Sequence, residues 1–144
     1  MKNREHQMQC AVIQWARMAG GRLPALRRLF AIPNGGHRNI AVAAKLKAEG
    51  VRAGVPDLCL PVARGDFHGL FIEMKAKPNT PTPAQKVEMD ALRDDGYCVQ
   101  VCYEVGQAIA WLEWYVEGAH MPHSDRPHPS PLPQEREKKT PARK

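Results

Sequence analysis

The stretch Leu70-Phe71-Ile72-Glu73-Met74-Lys75-Ala76 decides how the rest of this chain is read. Its apolar residues describe a strand that enters the core, yet it carries a carboxylate and an ammonium. Residues two apart in a strand share a face, so Glu73 and Lys75 project together while Ile72 and Met74 pack the other way. Upstream, Val55-Pro56-Asp57-Leu58 has the same character: an apolar strand that opens on an acid. If the two strands are neighbours, Asp57 comes to lie beside Glu73 and Lys75. Two carboxylates and a lysine in one partly buried place are costly unless they do chemistry or hold a cation. A metal-dependent phosphodiesterase is built this way. The plainer alternatives are a polar strand start for Asp57 and a same-face ion pair for Glu73 and Lys75.

Working outward, the pattern predicts an amphipathic helix over residues 5–19, with Met8, Ala11, Val12, Trp15 and Met18 at helical spacing and Gly20-Gly21 beyond its end. A short strand is expected over residues 28–32, stopped by Pro33-Asn34-Gly35-Gly36, and a second helix over 39–49 before Gly50. Strands follow at 57–62 and 69–76, joined by a hairpin turn at 63–68. A third helix starts after Thr82. Thr82 is a natural cap, Pro83 suits the first helical position, and Gln85 stands where a capping-box partner belongs. A strand at 97–103 and a helix at 106–116 complete the order. This order predicts an α/β fold, a mixed central sheet flanked by helices. Trp111, Trp114 and Tyr115 on the last helix exceed one packing face, which makes them either an interface or core.

The chain has 144 residues, enough for one domain with a modest core. No run approaches the roughly 20 apolar residues of a membrane helix, so no membrane association is expected. The four cysteines, Cys10, Cys59, Cys98 and Cys102, sit in apolar surroundings and are expected as buried free thiols of a reducing cytoplasm. Residues 1–118 are expected to form the domain. Residues 119–144 hold Pro122, Pro127, Pro129, Pro131, Pro133 and Pro141 and end in Lys138, Lys139, Arg143 and Lys144. They read as a disordered, Pro-rich basic tail.

The net charge of +6 is unevenly spread. Arg17, Arg22, Arg27, Arg28, Arg38, Lys45, Lys47 and Arg52 are opposed only by Glu49, whereas residues 85–117 are predominantly acidic. A one-sided basic half fits either a polyanionic partner or a merely solvated surface. Asn34 and Arg52 flank the motif strands, as phosphate contacts or as loop supports; His37 and Arg38 lie in the same exposed loop with the same two readings.

The chemistry expected of the site is specific. Asp57 and Glu73, with a main-chain carbonyl at Met74, would hold Mg²⁺ or Mn²⁺ among waters. Lys75, kept charged by its acidic neighbours, would orient the attacking water or balance charge on the phosphate. Glu5 lies at the end of the inward face of the first helix, either facing the site or complementing the helix dipole. Gln85 either completes the cap or faces the site.

These residues, in this order, resemble the PD-(D/E)xK nuclease superfamily, and more closely a stand-alone VRR-NUC domain of the phage and bacterial type. The likeness runs over residues 4–116. It is carried by Glu5 and Gln9, Ile32-Pro33-Asn34, the run Gly50-Val51-Arg52-Ala53-Gly54-Val55-Pro56-Asp57-Leu58, Ile72-Glu73-Met74-Lys75, Thr82-Pro83-Ala84-Gln85 and Gly96-Tyr97. The resemblance implies a restriction-endonuclease-like fold and Mg²⁺- or Mn²⁺-dependent hydrolysis of DNA. It makes Asp57, Glu73 and Lys75 the catalytic set, joined by Glu5 and Gln85. It also implies a homodimer acting on branched DNA as a Holliday junction resolvase, in the cytoplasm of a bacterial host or encoded by a phage. The alternatives are a nuclease on duplex or flap DNA in repair or restriction, and a non-catalytic DNA-binding module.

Overall fold

The structure is a computed structural model, and it describes residues 2–33 and 39–118. The chain runs α1 (Lys2–Ala19), a single 3-10 turn (Pro24–Arg28), β1 (Phe30–Ala31), α2 (Ile40–Ala48), β2 (Leu58–Leu60), β3 (Leu70–Met74), α3 (Pro83–Asp94), β4 (Cys98–Cys102), α4 (Val105–Glu113) and a wide helical turn (Trp114–Gly118). The four strands form one sheet in the order β1-β2-β3-β4. β2 is antiparallel to both of its neighbours, β1 and β3, and β4 is parallel to β3.

Each connection follows from local chemistry. Between β2 and β3 the chain reverses at Gly65-Asp66, where Arg64 and Phe67 exchange two backbone hydrogen bonds of 3.1 and 2.9 Å. That tight return forces the antiparallel pair. Between β3 and β4 it crosses through α3, as parallel neighbours require. Thr82 caps α3 with the full capping box, and Pro83 takes the first turn. The expected mixed α/β sheet with flanking helices is the observed one.

The sheet has two unequal faces. Leu58 and Leu60 of β2, Leu70, Ile72 and Met74 of β3, and Cys98 and Cys102 of β4 form one core with Met8, Val12 and Ala16 of α1 and Ala108, Trp111 and Leu112 of α4. On the other face Val99 and Val101 meet Met89 of α3, with Phe71, Leu92 and Tyr97 packed around them. The alternation along β3 therefore sends its apolar set to the large core and Glu73 and Lys75 to the α3 side.

Three expectations change. The strand expected over 28–32 shrinks to Phe30–Ala31, because Pro24 opens a 3-10 turn that consumes Arg28. The last helix ends at Glu113 and widens over Trp114–Gly118. Cys10 is exposed on the outer side of α1, 3.6 Å from His6 Nε2; two positions from Met8 and Val12, it is turned about 200° from the buried stripe. Cys59, Cys98 and Cys102 are buried free thiols, as expected. Trp111, Trp114 and Tyr115 are all buried, so this aromatic group is core. Among the described residues no helix is long and apolar enough to cross a membrane. Residues 119–144, expected as a disordered tail, and Asn34, His37 and Arg38 lie outside the described residues.

Candidate active site

Strand pairing builds the site. Leu58 pairs with Ile72 and Cys59 with Phe71, so the same register continued by one step sets Asp57 opposite Glu73. β2 has by then ended, and its missing backbone acceptors are replaced by side chains. Met74 N–H donates to Asp57 Oδ2 at 2.8 Å, and Ala76 N–H donates to Glu5 Oε1 at 3.1 Å. Asn79 Nδ2 reaches the same Glu5 oxygen at 3.5 Å. Between them, Lys75 N–H turns the other way and donates to Cys102 O at 2.9 Å. Two carboxylates thus prolong the ladder along one edge of β3, while β4 serves the other edge. Glu5 reaches this point because α1 starts beside the end of β3.

Glu73 sits between three elements. It is 3% exposed, and its Oε1 accepts from Gln85 Nε2 at 2.8 Å and faces Lys75 Nζ at 3.4 Å. Its Oε2 is buried with no donor. The side chain of Met74 is sealed in the large core, which leaves only its main-chain carbonyl for the role expected there. Gln85 combines both of its expected roles: it completes the Thr82 capping box and faces the site.

The electrostatics follow from burial. Removal from water, then the Asp57 charge, push the Glu73 carboxyl up to about 8, against the pull of Lys75. Burial also raises Asp57, with Glu5 adding to it, although the Met74 N–H and Lys75 oppose the rise. When all are ionised, Glu5, Asp57 and Glu73 face one ammonium, which leaves two negative charges uncompensated. A proton on Glu73 relieves this in part.

A divalent cation fits this arrangement. The donors are hard carboxylate oxygens, one of them buried and without a partner, and the neighbouring Asp57 and Glu5 charges favour a cation beside them. Among the described residues no three His, Cys, Asp or Glu side chains are grouped so as to hold a metal ion, so fewer than three such side chains are available as ligands here. A small donor set suits Mg²⁺, which retains water ligands, better than an ion that needs an all-protein cage.

The loop of residues 50–57 presses on α3. Gly54 has φ +93°, and a Cβ there would lie 2.8 Å from Ala84 O, against the first turn of α3. Arg52 Nη2 lies 2.7 Å from Glu88 Oε1, one turn further along α3. This pair joins the loop to α3. Sequence reasoning did not assign a role to Gly54 or Asn79. Gly54 stood in the glycine-bounded run before Asp57 without a stated function, and nothing local marks Asn79.

An α/β sheet that gathers an Asp, a Glu-x-Lys pair and a helix-borne Glu is the arrangement that the resemblance to PD-(D/E)xK nucleases implies. The model of the VRR-NUC domain family matches residues 1–105. A solved structure described as a VRR-NUC domain protein is 33% identical with a TM-score of 0.64, covering 78% of this chain and 88% of that one. Another, described as a VRR-NUC domain, has 24% identity and a TM-score of 0.46 over 75% of this chain and 97% of that one. A comparison with curated proteins finds no match. This chain belongs to the VRR-NUC domain family, a nuclease family of the PD-(D/E)xK superfamily.

Proposed function

We propose that this chain is a metal-dependent endodeoxyribonuclease that hydrolyses phosphodiester bonds in branched DNA, acting as a homodimeric Holliday junction resolvase. The observation that carries the catalytic reading is the convergence of Asp57, Glu73 and Lys75, with Glu73 Oε2 buried and lacking a donor. Family membership supports DNA as the substrate. The junction and the dimer follow from the likeness to stand-alone members.

Asp57, Glu73 and the Met74 carbonyl would hold Mg²⁺ or Mn²⁺. When bound, such an ion polarises a phosphate oxygen and lowers the pKa of a coordinated water. The protein's own groups do the rest. Asp57 is held in place by the Met74 N–H. The Lys75 ammonium, tethered at Glu73, is positioned to orient the attacking water or to balance charge growing on the phosphate. Glu5 fixes the end of β3 beside Lys75 and adds negative charge that favours cation capture. Arg52 is paired with Glu88, yet its side chain is 66% exposed and keeps surface for a phosphate. Asn34, His37 and Arg38, which lie outside the described residues, are proposed as DNA contacts from the sequence alone. A non-catalytic module fits poorly, because buried carboxylates beside a phosphate repel it unless a cation intervenes.

The test uses labelled four-way junction, flap and linear duplex with Mg²⁺, Mn²⁺ or EDTA, beside Asp57→Ala. Paired symmetric cuts in the junction, abolished by EDTA and by Asp57→Ala, are expected. Equal cutting of linear duplex would replace the resolvase by a general duplex nuclease. Binding without cutting in either metal would sink the enzymatic reading. Sedimentation with and without junction reads the stoichiometry, and a monomer on DNA would remove the dimer.

A further inference from the structure

Gln85 is the third residue of α3, the position from which a capping-box side chain folds back on the helix start. Its Oε1 accepts from Thr82 N–H at 2.9 Å, and its own N–H donates to Thr82 Oγ1 at 3.2 Å. Only the NH₂ end remains, and it donates to Glu73 Oε1 at 2.8 Å. A side-chain amide has one donor end and one acceptor end. Turned over, this one would set its NH₂ against the Thr82 N–H and its oxygen against the Glu73 carboxylate. Donor would face donor and acceptor would face acceptor, with two hydrogen bonds lost. The helix cap therefore selects which end of the amide Glu73 meets.

A cap alone does not ask for glutamine. Glutamate serves equally at this position, and a negative charge in the first turn of a helix is favoured by its dipole. Glutamine is required only if the far end must donate. The consequence is seen at Glu73, whose two oxygens are made unequal. Oε1 is engaged by Gln85 and Lys75, and Oε2 is buried with no donor. The first turn of α3 is in turn held by the preceding loop, through the close approach of Gly54 to Ala84 and the Arg52–Glu88 pair.

Resting on the function proposed above, we infer that the α3 capping box is the positioning device of the active site: Gln85, oriented by the Thr82 amide, turns Glu73 so that Oε1 is occupied and Oε2 is presented to the cation. Gln85 is a positioning residue and touches neither cation nor DNA. Groups that orient metal ligands typically change metal affinity or activity by roughly 10- to 100-fold when replaced.

Three variants test this on the full chain. Gln85→Glu retains an acceptor for the Thr82 N–H but sets a carboxylate against Glu73. Its metal-free Tm is expected to fall, because two carboxylates then meet in a buried place, while kcat falls roughly 10- to 100-fold with KM for DNA unchanged. Gln85→Met loses both ends without adding charge, and calorimetric titration with Mn²⁺ alone is expected to show affinity weakened at least about tenfold. Leu92→Ala, on the same helix but at the small core, lowers Tm and leaves kcat and Mn²⁺ affinity unchanged. Full activity in Gln85→Glu, or wild-type Mn²⁺ affinity in Gln85→Met, would overturn the inference while leaving the nuclease reading intact. A wild-type protein that neither binds Mn²⁺ nor cuts DNA would overturn both.

Discussion

The two faces of β3, taken together with Lys75, the residue that follows it, have opposite fates. Leu70, Ile72 and Met74 enter a core closed by two helices, and each is about 1% exposed. Phe71, Glu73 and Lys75 face a thinner layer covered by α3. Glu73 and Lys75 are almost as buried as their apolar neighbours, at 3% and 8% exposed. Burial alone therefore does not distinguish the faces; partners do. The apolar side is satisfied by packing. The charged side is satisfied by one amide, one ammonium and a proton, and it retains an oxygen without a donor. One face holds the fold and the other holds a stored electrostatic cost that a cation would relieve.

Substitutions on each face should therefore break different properties. The largest loss of stability is expected from Ile72→Ala, at about 2–5 kcal/mol, read by chemical denaturation; a loss under 1 kcal/mol would mean that this face is not the main core. Lys75→Ala should spare the fold, because Glu73 can take up a proton, and should keep DNA binding. Its single-turnover cleavage is expected to fall by roughly 10²- to 10³-fold, and undiminished cleavage would dismiss the ammonium from the chemistry.

Gly54→Ala strains a backbone at φ +93° and drives a methyl to within 2.8 Å of Ala84 O. About 2 kcal/mol of destabilisation is expected from the left-handed backbone alone, with cleavage falling in parallel as the start of α3 shifts. Retained cleavage at full stability would show that the loop does not buttress the site.

Glu73 provides a pH test. Its proton is held to about 8 in the folded protein, against an ordinary 4.5. Between those values the native state binds more protons than the unfolded state, so its contribution to stability falls as pH rises. In Glu73→Gln this dependence is absent. The Tm difference between Glu73→Gln and metal-free wild type should grow in favour of the variant from about pH 4.5 to about pH 8 and then level off. Mn²⁺ should raise the Tm of wild type more than that of the variant. A difference that does not change with pH would mean that Glu73 is not held protonated. The smallest effect is expected for Arg52→Ala: its exposed pair with Glu88 should contribute under about 1 kcal/mol, checked by a double-mutant cycle with Glu88→Ala.

Much of this architecture is legible in the sequence. The Thr82 cap announced α3, the turn before Gly69 announced the hairpin, and two-residue alternation separated Glu73 from Ile72. Boundaries were less legible. β1 is shorter than the strand composition of Arg28 to Ile32 predicts, because the turn opened by Pro24 takes up Arg28 and ends on Leu29. The aromatic group on α4 was ambiguous because apolar bulk looks the same whether it is covered by this chain or another; here it is covered by this chain. Cys10 illustrates the same limit, since its neighbours are apolar but its helical phase points outward.

The sequence by itself determined the elements, their periodicity and the residue types available for chemistry, because these depend on interactions within a few residues. It also marked Asp57, Glu73 and Lys75, since charge inside an apolar strand is conspicuous without a structure. Only the tertiary structure decided that Asp57 and Glu5 continue the ladder where β2 stops, that Gln85 joins a helix cap to Glu73, and that Gly54 lets a loop press on α3. Those relations bridge up to 71 residues of chain between Glu5 and Ala76. They exist because a backbone donor at the end of a buried strand must find an acceptor, and folding determines which side chain is near enough to supply it.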